Sequence, residues 1–190
     1  MQPSRSWMRM TSMRKTTAAA VALSTAALTF GISGTAHAEQ YGIDDPDDTT
    51  HGVDVLSMTV RNGKSNVNVI TTHDDLRRAP SSAAGGSIFI DTVKGDKGPE
   101  YVFVGGFFEG TDYTLLETEG FSQESYGEPV ENGDYVMRID YRNDEVRVRM
   151  SRAALGNPGA VRVVMRAAGP SGAVDWVSEK REFSPWISRG

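Results

Sequence analysis

Cysteine is absent from this 190-residue chain. That absence excludes disulfides, thiolate metal centres, a cysteine nucleophile and a lipid-modified N-terminal cysteine. Histidine is scarce too, at three residues. The chain has no Gly-x-Ser-x-Gly elbow, no His-Glu-x-x-His helix and no phosphate-binding glycine loop. A Ser-His-Asp triad using His73 stays open, because triad members meet only in the fold. Carboxylate pairs of the glycosidase kind carry no information in a chain with 25 acidic residues. Long amphipathic helical patterns are missing as well.

The longest apolar stretch runs from Ala18 to Phe30 and falls short of the ~20 residues that span a bilayer. It follows Arg9, Arg14 and Lys15 and precedes Ala36-His37-Ala38. A positive start, a short apolar centre and a small-x-small site together read as a secretory signal over 1–38, with a mature chain that starts at Glu39. Met1, Met8, Met10 and Met13 are all possible starts. The expected location is therefore secreted, with no membrane span. The formal charge is −5 over the whole chain. Removing Arg5, Arg9, Arg14 and Lys15 takes it to −9, which argues against nonspecific binding to nucleic acid.

Residues 39–52 are acidic and poor in apolar side chains, and predict a flexible leader. From Val53 the period is two. Leu56, Met58 and Val60 alternate with polar neighbours, Asn62-Gly63 signals a hairpin turn, and the return strand covers 65–73. Further strands are expected at 87–93, 101–108, 111–118, 135–142, 145–151, 160–168 and 173–178. Gly105-Gly106 marks a bulge or an early strand end. Asn143-Asp144 turns the clearest hairpin, in which Tyr135, Met137, Ile139, Val146, Val148 and Met150 share the inward pattern. Eight or nine short strands with regular turns predict an all-β, two-sheet antiparallel sandwich of jelly-roll type, one domain over 53–190.

Several short motifs occur in order. Asp45-Pro46 and Asp47-Asp48 precede the first hairpin. Ile88-Phe89-Ile90-Asp91-Thr92 leads to Gly98-Pro99-Glu100-Tyr101. Val146-Arg147-Val148-Arg149-Met150 leads to Ala154-Leu155-Gly156-Asn157-Pro158, and Asp175-Trp176 stands near the end. This order resembles exported β-sandwich proteins of actinobacteria with a DOMON-like or family-9 carbohydrate-binding-module-like outline. The resemblance implies a noncatalytic sandwich and names no ligand, since one fold hosts many functions. Many relatives of that outline carry a cysteine where Ala154 stands here, so a disulfide of that kind is excluded.

Two clusters are candidate sites. Asp45, Asp47, Asp48 and Asp54, with Asp91 from a later strand, supply the hard oxygens that calcium prefers; the plain alternative is a solvated acidic tail. Arg138, Arg147, Arg149, Arg162 and Arg166 fall on outward positions of three late strands. If those strands are neighbours, their guanidiniums line one face suited to phosphate or carboxylate. The plain alternative there is a solvent face laced with salt bridges. Phe107-Phe108 cannot both point inward in a regular strand, so one of the pair is an expected contact residue. The expected function is binding of an extracellular polysaccharide or cell-envelope component, without catalysis. The alternative is a secreted protein–protein module, such as an inhibitor or an envelope-assembly accessory.

N-terminal sequencing of protein from culture supernatant is expected to begin Glu39-Gln40-Tyr41. Membrane-bound protein that keeps the intact N-terminal segment would overturn both the cleavage site and the export.

Overall fold

Side chains on a strand alternate between two faces, so period-two patterning commits each segment to burying one face against another layer. The computed structural model describes residues 39–131 and 133–190. The expected signal segment lies outside these residues. Twelve strands are present among them: β1 (Glu39–Asp44), β2 (Val55–Asn62), β3 (Asn66–His73), β4 (Gly85–Asp91), β5 (Tyr101–Gly106), β6 (Tyr113–Thr118), β7 (Tyr126–Pro129), β8 (Tyr135–Asp140), β9 (Glu145–Ser151), β10 (Ala160–Ala168), β11 (Val174–Trp176) and β12 (Ile187–Ser188). The count exceeds the expected eight or nine because β1, β7 and β12 carry too little apolar alternation to stand out.

The strands form two antiparallel sheets. The first has the order β1-β2-β3-β9-β8; the second has the order β11-β10-β4-β5-β6-β7, with β12 also on β10. Met58, Val60, Val67, Val69, Val146, Val148 and Met150 on the first sheet share one buried core with Ile88, Ile90, Phe103, Leu115, Val161, Val163 and Met165 on the second. Burial of this apolar surface is the main favourable term of folding.

The outer faces differ. On the second sheet, Phe89, Val102 and Val164 form a further buried cluster under Leu116, Phe121, Tyr126, Trp176 and Phe183. Trp176 stacks on Phe89 at 5.9 Å between ring centroids, and Phe121 meets Phe89 edge-on at 4.9 Å. The run Val163-Val164-Met165 is therefore apolar because its strand is buried on both faces. Among the described residues the outer face of the first sheet has no such cover and is mainly polar.

Residues 39–44, expected within a flexible acidic leader, instead form the edge strand of the first sheet. They pair with β2 from Glu39 opposite Asn62 to Asp44 opposite Ser57. Half-buried Tyr41 and Ile43 alternate with exposed Gln40 and Gly42, a short period-two signal obscured by the aspartates that follow it. The Glu39 carboxylate accepts the Ser188 N–H, and the Asp45 carboxylate accepts the Ser178 N–H at 2.6 Å. Among the described residues the folded unit thus includes the segment from Glu39 that precedes Val53.

Four glycines explain how Phe107 enters the core. Gly85 lies opposite Gly106, and Gly86 opposite Gly105. A Cβ on Gly86 would stand 2.5 Å from Phe107 Cζ and 3.1 Å from Met165 Cε. The bare backbone lets the Phe107 ring lie across the sheet and meet His73 edge-on at 4.9 Å. Gly86→Ala is expected to destabilise the protein by about 1–3 kcal/mol through overpacking, read as a lower urea midpoint. An unchanged midpoint would mean that Phe107 moves aside at no cost.

Candidate functional site: an arginine trough on the open sheet

Residues directly opposite in an antiparallel ladder point to the same face. Arg138 on β8 lies opposite Arg147 on β9, and Arg149 lies opposite Val136. The ladder continues across the sheet: Arg147 faces Ile70 and Arg149 faces Asn68 on β3. Ile70 then faces Thr59, and Asn68 faces Arg61, on β2. Gln40 on β1 closes the row beside Arg61. These residues line a surface depression of about 690 Å³. Arg61, Arg138, Arg147 and Arg149 are all exposed there.

The charges in this trough are incompletely matched. Arg147 Nε donates to the Glu145 carboxylate, and Arg149 Nη2 reaches Asp134 Oδ1 at 3.2 Å. Among the described residues no ion pair holds Arg61 or Arg138, although Arg138 sits directly across from a like charge. Like charges in that position are unfavourable. Carboxylates flank the arginines at both ends of the sheet: Glu145 faces Asp140 and Thr72 at one, and Asp134, just before Tyr135, reaches Arg149 at the other. The Asp140 carboxyl is held below its ordinary range, first by the Asn143 amide and the Arg142 N–H, and also by Arg147. Exposed pairs of this sort contribute at most about 1 kcal/mol, so an incoming anion can replace them.

Sequence spacing alone could not name Arg61 and Asn68, because only the pairing of β3 with β9 carries the two hairpins onto one face. The alternation of Arg61 with Val60 was the available signal. The expected contribution of Arg162 and Arg166 to this face does not hold, since β10 belongs to the other sheet. Arg162 instead neutralises Asp91. Its Nη2 and Nε approach Asp91 Oδ2 at 2.5 and 2.7 Å, and its guanidinium lies over the rings of Phe183 and Trp186. Phe107 is buried in the core and so is not a contact residue, while Phe108 is half-buried beside Gly106.

The acidic residues assemble differently from the calcium expectation. Asp91 is fully buried against Arg162, away from the leader aspartates. Asp47 and Asp48 are exposed. Asp54 is fully buried, and its Oδ1 accepts the N–H groups of Asp48 and Thr49 at 3.0 and 2.6 Å. Asp175, marked in the sequence only as part of Asp175-Trp176, joins this group by accepting the Val55 N–H at 2.7 Å. No group of three or more acidic or histidine side chains is arranged to hold a metal ion among the described residues. The aspartates act as acceptors that tie the 45–54 loop to both sheets.

His73 is buried as well. Thr71 Oγ1 lies 2.9 Å from its Nε2, and the Gly52 carbonyl lies 3.1 Å from its Nδ1. Its ring nitrogens therefore engage a threonine and a backbone oxygen, with neither a serine nor a carboxylate. Compared with known proteins, the chain matches no protein-family model and shows no significant similarity to a curated protein.

The two buried titrating groups oppose each other. Burial lowers the His73 pKa from 6.5 to about 4, against the Gly52 hydrogen bond. The unfolded chain then binds the proton first, so stability from this group is present above pH 6.5 and lost as pH falls towards 4. Burial, followed by repulsion from Asp45, Asp54 and Asp48, raises the Asp175 pKa from 3.8 to about 6, against the Val55 N–H. Here the folded chain holds the proton, so stability is present at low pH and lost as pH rises through 6. Asp175→Asn is expected to steepen the loss of stability on acidification from pH 6 to 4, and His73→Gln to flatten or reverse it. Urea midpoints measured across that window decide the matter; a variant with the wild-type profile would refute the role of its group.

Proposed function

We propose that this chain is a secreted, noncatalytic β-sandwich module of jelly-roll type that binds an anionic polysaccharide or cell-envelope component through the arginine trough. The observation that carries this reading is four exposed guanidiniums on one face, two of them without an ion-pair partner among the described residues. A guanidinium offers a planar fork of donors that matches carboxylate and phosphate. The resemblance to actinobacterial exported sandwiches of DOMON-like or family-9 carbohydrate-binding-module-like outline agrees with a binding role. The signal-like N-terminal segment agrees with an extracellular one. The engagement of His73 by Thr71 and Gly52 favours binding over catalysis. The protein–protein alternative draws less support, because Val93 and Val174 are the exposed large hydrophobics among the described residues, and each stands singly on the other sheet or its loops.

The test is retention on immobilised polymers. The protein is expected to bind anionic envelope polymers and to ignore neutral glucans. Arg138→Gln combined with Arg147→Gln is expected to weaken binding at least tenfold while leaving the melting temperature within a few degrees. Equal binding to neutral polymers, or full binding by the folded double variant, would refute the reading.

A further inference from the structure

A second depression, of about 280 Å³, lies beside the first at the β2–β3 turn. It is lined by Arg61, Lys64, Asn66 and Asn68 together with Gly190. Arg61 and Asn68 line both depressions, so the two are continuous. The cations then follow one path. It starts at Arg138 and Arg147, passes Arg149, crosses two strands to Arg61, and ends at exposed Lys64 on the turn. Glu145 and Asp140 close the opposite end of the sheet. With neighbouring strands about 4.8 Å apart and a two-residue step of about 7 Å, the path measures roughly 25–30 Å. A single small anion could engage only a fraction of that length.

Among the described residues no aromatic side chain lines either depression. A pyranose ring would find no stacking platform here, and neither would a nucleobase. The lining offers guanidinium and ammonium groups for charge, and Gln40, Thr59, Asn66 and Asn68 for hydrogen bonds. A flexible chain with phosphodiesters separated by short polyols fits this chemistry. It presents an anion at about the two-residue step between Arg147 and Arg149, hydroxyls between the anions, and no ring to stack. The negative net charge of the rest of the molecule does not prevent this, since charges beyond about 8 Å are screened at physiological ionic strength.

Resting on the reading of the trough as an anion-binding face, we propose that its occupant is a linear poly(polyol phosphate). Its chain runs from Arg138 across the sheet to Lys64, so that affinity depends on chain length.

Titration calorimetry of the protein with glycerol-phosphate oligomers of increasing length tests this. Affinity is expected to rise at least tenfold between two and five phosphates and then level off. Lys64→Gln is expected to weaken binding of the long oligomer about fivefold and to leave the dimer unchanged. Raising the salt concentration is expected to weaken long-oligomer binding with a log–log slope of about −3.5, from about 0.7 for each of the five cations engaged. Arg166→Gln, on the other sheet, serves as the neutral control. A flat length dependence, or a Lys64→Gln protein that binds all lengths as the wild type does, would overturn the extended path while leaving anion binding at the trough intact. A polyuronate or single-stranded oligonucleotide of equal charge that binds as tightly would overturn the choice of occupant. Loss of every anionic polymer, long or short, would overturn the trough itself.

Discussion

The ladder between β3 and β9 is the constraint on which the rest of the structure depends. It pairs Asn66 with Ser151 through Thr72 with Glu145, joining segments far apart in sequence. On its inner side it sets Val67, Val69 and Thr71 beside Met150, Val148 and Val146 in the core. On its outer side it sets Asn68 and Ile70 beside Arg149 and Arg147. A register shift of one residue would exchange the two faces, burying guanidiniums and exposing valines. The energetic preference for apolar burial therefore fixes the position of the arginines, and the trough follows from the core.

The two sheets divide the work unequally. Each outward face of a sandwich must be solvated or covered. The second sheet is covered by aromatic side chains from the 119–126 and 176–183 segments, so its outward arginines act at the margins of an apolar cluster. Arg162 shows what this does to a charged side chain: it lies between two aromatic rings and meets a fully buried aspartate. Removing one member of such a pair leaves an uncompensated buried charge, which makes the pair a structural element. Among the described residues no aromatic segment covers the first sheet, and its outward arginines stay exposed.

Much of this arrangement was legible in the chain. The hairpins around Asn62-Gly63 and Asn143-Asp144 followed from alternation and turn chemistry, and the inward and outward sets of β8 and β9 came with them. Local patterning could not say which hairpins are neighbours. That is why Arg162 and Arg166 were grouped with Arg138 although β10 lies in the other layer, and why Arg61 was overlooked. The leader misled for a related reason. Two half-buried side chains, Tyr41 and Ile43, suffice for an edge strand once β2 offers its ladder, and a count of apolar residues does not register them. Phe107-Phe108 posed a correct either-or, whose answer depended on space opened by Gly86 on the neighbouring strand β4. Asp175 stood in the sequence only as part of the Asp175-Trp176 motif, because its role is to cap the start of β2, which no local pattern registers.

The meeting of the first and last described strands bears on how the domain is made. Glu39 binds the backbone of Ser188, and the Gly190 N–H donates to the Asn62 carbonyl at 3.0 Å. These are contacts of maximal sequence separation, the kind that form late and slow the search for the native state. A chain emerging from its N-terminal end meets its β1 partner early but lacks the β12 clamp until the last residues arrive.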